Sequence, residues 1–147
     1  MIEIKTMTEV HVPHIAELEN LCFSDPWSER SIASELNNRL SMWFVAVEGD
    51  VVVGYVGSQT VLDSADMMNI AVHPDHRNKG IGERLVSALC DYLINRDVKT
   101  LLLEVRVSNT PAINLYKKLG FQEIGRRRNY YHNPKEDAWI LRKELEG

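Results

Sequence analysis

Three groups of residues in this chain have the types and spacing to do chemistry. The first is Arg77-Asn78-Lys79-Gly80-Ile81-Gly82, between a run that reads as a strand and a long amphipathic helix. Gly80 and Gly82 remove side chains, so backbone can approach a bulky ligand closely. A helix start offers unsatisfied N–H groups and the positive end of its dipole. With Arg77 and Lys79 adding positive charge, the segment suits a pyrophosphate. On spacing alone a plain glycine turn ahead of a helix is the alternative. No Gly-Lys-Ser/Thr follows and no Gly-x-Gly-x-x-Gly precedes the helix, which excludes a Walker A loop and a dinucleotide fingerprint.

The second is Glu104, inside the apolar run Leu101-Leu102-Leu103-Glu104-Val105. A carboxylate in apolar surroundings is desolvated and becomes a better proton acceptor. Such a base could deprotonate an amine, which has no lone pair to attack with while protonated. Equally, Glu104 and Arg106 share a strand face and could simply pair. The third is Tyr116, in Asn114-Leu115-Tyr116-Lys117, with Asn109 upstream. By themselves these read as a core aromatic with its hydroxyl at the surface and a helix cap.

The elements that must position these residues can be traced by periodicity. Met1 to Met7 alternates as a strand. Thr8 to Phe23 has helical spacing through Val12, Ile15, Leu18 and Leu21, with Pro13 near the first turn. Phe23 to Ser28 is a turn, and Ser28 caps a second helix reaching about Arg39. Strands over Trp43–Val47, Val51–Thr60 and Asp66–Val72 form an antiparallel meander. After the glycine-bearing loop a helix runs to about Arg96, with Ile81, Leu85, Leu89 and Leu93 as its core stripe. Thr100–Val107 is a nearly continuous apolar strand. Pro111 opens a last helix, which ends at a left-handed Gly120. Phe121–Tyr131 and Asp137–Leu145 close the chain as a strand pair. Helices interleaved with a mixed sheet give an α/β (α+β) class, with about seven strands and four helices.

Residues 1–147 read as one domain, with 44% apolar and 26% charged residues, an ordinary globular composition. A net charge of -4 is too acidic for a general nucleic-acid binder, and suits a cationic substrate. Cys22 and Cys90 form no Cys-x-x-Cys pair, and both are expected to be buried and inert. No apolar run is long enough to span a membrane and the N-terminus has no signal-peptide pattern, so a cytoplasmic protein is expected. Nothing demands a dimer, and a monomer is expected.

The stretch Asn69 to Gly82, Asn-Ile-Ala-Val-His-Pro-Asp-His-Arg-Asn-Lys-Gly-Ile-Gly, resembles motif A of the GNAT acetyltransferases, and the element order matches that fold over nearly the whole chain. The resemblance implies acetyl-CoA as co-substrate. Ile70, Ala71 and Val72 would face the thioester and pantetheine arm, and backbone from Arg77 through Asn78, Lys79, Gly80 and Ile81 to Gly82 would cradle the pyrophosphate. It implies a bulge that splays the strand and leaves a gap for the acetyl group. Leu103–Asn109, Ala112–Phe121, Phe23–Ser28, Arg127–Tyr131 and Glu136–Ala138 are similar to the branch of that family that acetylates the N-terminal alanine of a small-subunit ribosomal protein, number eighteen. By that likeness Glu104 is the general base, acting directly or through a water, and Tyr116 is the acid that protonates the departing thiolate. Asn109 contacts the pantetheine arm, and the Val72 N–H polarises the thioester carbonyl. The implied partner is a basic protein N-terminus. A GNAT enzyme for a small amine and a CoA-binding module without catalysis are the other readings; Glu104 and Tyr116 argue against the latter, since a sensor needs neither.

Two departures and two aromatic groups complete the reading. His73 stands where the family more often has an acid. His73, Asp75 and His76 flank Pro74 and lack a fourth partner, so a solvated turn is expected there and no metal. Trp27 and Tyr131 are candidate linings of the acceptor groove, Tyr131 being chosen over Tyr130 because neighbours on a strand face opposite ways. Arg126, Arg127 and Arg128 read as a solvated charge run.

Overall fold

The computed structural model describes residues 1–146. Seven strands form one sheet: β1 (Ile2–Thr6), β2 (Ser41–Glu48), β3 (Val51–Val61), β4 (Ser64–Val72), β5 (Thr100–Arg106), β6 (Gln122–His132) and β7 (Lys135–Glu144). Their spatial order is β1-β2-β3-β4-β5-β7-β6. All neighbours are antiparallel except β4 and β5. Helices α1 (Val12–Cys22) and α2 (Glu29–Glu35) cover one face, and α3 (Ile81–Ile94) and α4 (Thr110–Lys118) the other. The α/β class, the seven strands and the four α-helices agree with the sequence reading, and two short 3₁₀ turns, Glu9–His11 and Pro74–His76, precede α1 and α3.

Local chemistry explains most boundaries. Ser28 accepts the Ser31 N–H at 3.1 Å, the expected N-cap of α2. The helix stops at Glu35, short of Arg39, because the Asn38 side chain takes the Leu40 N–H at 2.9 Å and diverts the backbone. The stripe Ile81, Leu85, Leu89 and Leu93 is buried as predicted, against the face of the sheet that includes Ala65, Met67, Leu101, Leu103 and Val105. Gly120 ends α4 at φ +98°.

Two irregularities position the site. In β4, Gly57 pairs with Asn69 and Ser58 with Met67, so Met68 is an extra residue. This bulge inverts the side-chain alternation. Ala65 and Met67 face α3 before it, whereas Ile70 and Val72 do so after it, turning Ala71 to the α1 side. In β6, Arg127 pairs with Ala138 and Tyr131 with Glu136, so three residues oppose Asp137 alone. Asn129 at the centre takes φ +52°.

Candidate active site

The parallel strands β4 and β5 pair only from Ser64 to Asp66 and from Thr100 to Leu102. Beyond that point β5 continues on β7 through Arg106 and β4 continues on β3 through Val72. The sheet therefore opens as a wedge after Asp66, just ahead of the Met68 bulge. The His73 N–H donates to the Val53 carbonyl at 2.8 Å. Antiparallel ladders alternate, so the Val72 N–H and carbonyl one residue earlier turn away from β3 and towards the wedge. Consistently, the Val72 carbonyl accepts Arg77 Nε at 3.1 Å, and the Ile70 N–H is taken by its neighbour Asn69 Oδ1 at 3.1 Å.

The loop after β4 leads into α3. Asn78 and Gly80 both have positive φ, +64° and +76°, and Gly80 is the residue before the first helical turn. A Cβ on Gly80 would meet nothing within 4 Å, so its backbone faces open space and glycine serves the conformation. A Cβ on Gly82 would sit 3.4 Å from Leu115, an ordinary contact with α4. Lys79 is exposed. Arg77 folds back, with Nη2 3.7 Å from Cys22 Sγ. Cys22 is therefore half-exposed and beside a cation, against the expectation of two buried thiols; only Cys90 is buried.

Strand β5 alternates strictly instead of being buried on both faces. Leu101, Leu103 and Val105 point into the α3–α4 core, and Leu102, Glu104 and Arg106 lie on the other face, past the cover of α1 and α2. Glu104 is therefore not the dry carboxylate its leucine neighbours suggest: its side chain is 25% exposed and pairs with Arg127 Nε at 3.3 Å. The alternative pairing with Arg106 does not form. Arg106 pairs with Glu136 at 3.1 Å and lies over the Tyr131 ring at 4.3 Å.

The β6 bulge brings the aromatic groups to this face. Its extra residues remove the opposition expected of Tyr130 and Tyr131, whose rings meet edge to face at 5.0 Å. Asp137 holds the bulge by accepting the Asn129 N–H at 2.8 Å and pairing with Arg126 at 2.7 Å. Glu136 accepts the Ser108 N–H at 2.8 Å. Arg126, Arg127 and Arg128 are all exposed, as expected of a solvated run, and Arg126 and Arg127 in addition pair with Asp137 and Glu104. Burial, then the neighbouring Tyr130 and Glu104, pushes the Tyr131 phenol up to about 12. Tyr130 is raised by burial first and then by Glu104, with Asp66 also near enough to contribute.

Tyr116 is 5% exposed, on the α4 face, against Phe121 at 5.6 Å. Burial holds its phenol well above the ordinary tyrosine range, and Tyr131 adds to the shift. Asn109 caps α4, with Oδ1 accepting the Ala112 N–H at 3.3 Å, which leaves its amide nitrogen for other contacts. His73 Nδ1 accepts the Asp75 N–H at 3.0 Å, capping the turn. Trp27 is half-buried, edge-on to Trp43 at 5.5 Å. Its loop meets the β6–β7 turn where Ser24 Oγ donates to the Asn133 carbonyl.

Sequence reasoning missed Glu19, which is 1% exposed in the midst of this architecture. Its signal was present: Glu19 follows Val12 by seven residues and Ile15 by four, which puts a carboxylate on the buried stripe of α1. Glu136 and Asp137 were singled out as a segment, but their roles as holders of Arg106 and of the bulge required the register.

Comparison with known proteins agrees with this geometry. Residues 12–121 match the model of the acetyltransferase (GNAT) family. The chain is 39% identical over 143 residues to the [ribosomal protein bS18]-alanine N-acetyltransferase of Escherichia coli K12, covering 96% of each chain. Among solved structures it is similar to the ribosomal-protein-S18-alanine N-acetyltransferase from Escherichia coli, with a TM-score of 0.92, 37% identity and coverage of 100% of this chain and 96% of that one. The fold is also shared with Arabidopsis thaliana NAA60, solved with a bisubstrate analogue, at a TM-score of 0.92, 17% identity and coverage of 100% and 99%. A wedge between β4 and β5, a left-handed glycine turn opening α3 and a family match spanning both place this chain in the GNAT acetyltransferase family.

Proposed function

We propose that the protein transfers the acetyl group of acetyl-CoA to the N-terminal α-amine of a protein, the acceptor being the alanine of ribosomal protein bS18. The observation that carries this reading is the wedge, with an inward-turned Val72 N–H on one wall and Glu104 on the other. The full-length likeness to bS18-alanine acetyltransferases supplies the acceptor.

In this reading the N–H groups at the start of α3, with the open turn at Asn78 and Gly80, receive the pyrophosphate. Lys79 adds charge, and Arg77 acts by bracing Val72. Ile70, Ala71, Val72 and the Asn109 amide line the pantetheine arm, and the Val72 N–H donates to the thioester oxygen as negative charge develops there. The acceptor ammonium displaces Arg127 from Glu104, an exchange of one cation for another. Glu104 removes one proton, and the amine nitrogen attacks the carbonyl carbon. A C–N bond forms, the C–S bond breaks, and Tyr116 gives its proton to the leaving sulfur; the nitrogen's second proton restores the Tyr116 hydroxyl, and Glu104 releases the first to solvent. Holding both substrates in one site supplies much of the rate. Trp27 and Tyr131 flank the acceptor.

The test is a turnover assay with acetyl-CoA, offering a peptide that copies the alanine-first N-terminus of bS18 and a panel of small amines. CoA release with the peptide alone is expected. Release with small amines alone would overturn the acceptor while leaving the family intact.

A further inference from the structure

A carboxylate buried away from the wedge ties together its two flanks. Glu19, near the C-terminal end of α1, makes no ion pair among the described residues and receives three hydrogen bonds. Oε1 accepts the Trp27 backbone N–H at 2.7 Å. Oε2 accepts Asn69 Nδ2 at 2.6 Å and the Tyr55 hydroxyl. Burial raises its pKa above the ordinary carboxylate value, with the three donors opposing that shift. An apolar side chain would fill this position on α1 at lower cost, because burying a carboxylate without a cation is expensive even when it is hydrogen-bonded.

The three donors differ in what they hold. Trp27 belongs to the loop that reaches the β6–β7 turn through Ser24 and Asn133. Asn69 is the first residue after the Met68 bulge, and it reaches α1 only because the bulge has inverted the alternation of β4. Its other side-chain atom fixes the Ile70 N–H, two residues before Val72. Tyr55 stacks on Trp43 in the core at 5.9 Å and lies opposite Ala71 in the β3–β4 ladder, but its hydroxyl bonds Glu19 and neither flank.

We infer that Glu19 is a positioning residue that clamps the acceptor-side loop at Trp27 to the bulged strand at Asn69, setting the distance between the incoming amine and the thioester. This rests on the acetyl-transfer reading of the wedge. A displacement of about 1 Å in a reacting geometry can cost on the order of a hundredfold in rate, so a clamp across the two flanks acts on catalysis without touching either substrate.

Substitution of Glu19 by Gln keeps the volume but leaves one acceptor atom for three donors, so either Trp27 or Asn69 is released. For Glu19→Gln the acceptor-peptide kcat/KM should fall about tenfold or more, with the acetyl-CoA Kd within about twofold. The paired change Glu19→Gln with Asn69→Asp moves the carboxylate to the other partner and again matches donors to acceptors. It should recover kcat/KM to within about threefold of the parent. Tyr55→Phe removes a donor that holds neither flank. It should lower Tm yet leave kcat/KM within about twofold, which separates positioning from stability. The clamp is overturned if Glu19→Gln turns over like the parent, if Tyr55→Phe loses as much activity as Glu19→Gln, or if the paired change is no better than the single one. Amide exchange of segments 23–28 and 69–72 gives a readout independent of turnover: one of the two should exchange faster in Glu19→Gln and return to parental rates in the pair. Should the parent fail to acetylate the peptide, the acceptor reading falls, and the exchange data alone decide the clamp.

Discussion

Glu104 and Tyr116 lie on opposite faces of the sheet, in unlike environments. Glu104, the proposed base, is partly solvated and paired with a cation, which the acceptor ammonium would displace. Tyr116, the proposed acid, is a buried phenol whose raised pKa keeps its proton. Replacing Glu104 by Gln should lower kcat about a hundredfold or more at neutral pH, with the acetyl-CoA Kd unchanged; surviving turnover would refute the base assignment. Tyr116→Phe should lower kcat by about tenfold to a hundredfold and also spare acetyl-CoA binding. Since the Tyr116 pKa is raised, its acid form persists beyond the ordinary value of 10.0. The pH profile of kcat should therefore show no loss assignable to this residue up to that pH.

At the scale of the elements, the bulges in β4 and β6 do what regular strands could not. One turns Ile70 and Val72 to the α3 side and Ala71 to the α1 side along the wedge, and the other brings Tyr130 and Tyr131 together near Glu104. The β6 bulge depends on carboxylates. Glu136 is held below its ordinary value by its hydrogen bonds with Ser108 and then Arg106, and Asp137 by the Asn129 N–H and then Arg126. Groups with lowered pKa contribute stability above their unfolded values and lose it as pH falls through the lowered folded ones. Amide exchange in segment 126–137 should therefore accelerate on acidification below the ordinary carboxylate range, before the core of α3 does. The meander has its own constraint at Gly57, where a Cβ would lie 2.3 Å from the Trp43 indole. Gly57→Ala should cost about 2 kcal/mol or more by overpacking, measurable as a drop in denaturation midpoint.

Over the whole molecule, the net charge is -4, and at the proposed acceptor face two carboxylates, Glu104 and Asp66, stand with one cation, Arg127, near Tyr130. A basic peptide should be drawn to this face, so its KM should rise with added salt. A neutral-sequence peptide with the same alanine start should show a weaker dependence. If both respond alike, charge at this face does not steer the acceptor.

The sequence by itself determined the elements and their chemistry. Periodicity placed the α3 stripe, Ser28 and Gly120 marked helix ends through local hydrogen bonding and φ, and the segment Arg77–Gly82 marked the turn that opens α3. These are short-range properties that a few neighbouring residues settle. Tertiary structure decided what depends on partners far apart in the chain. Glu104 pairs with Arg127, two strands away across β7, because an extra residue at Ile124 sets Arg127 opposite Ala138 and so on the Glu104 face, while Arg106 is taken by Glu136. Tyr130 meets Tyr131 because the β6 bulge centred on Asn129 cancels the two-residue alternation. Asn69 faces Glu19 because one extra residue, Met68, inverts the alternation of β4. A bulge leaves little trace in hydrophobic patterning, since it shifts register by a single residue, yet that shift decides which face every later side chain occupies.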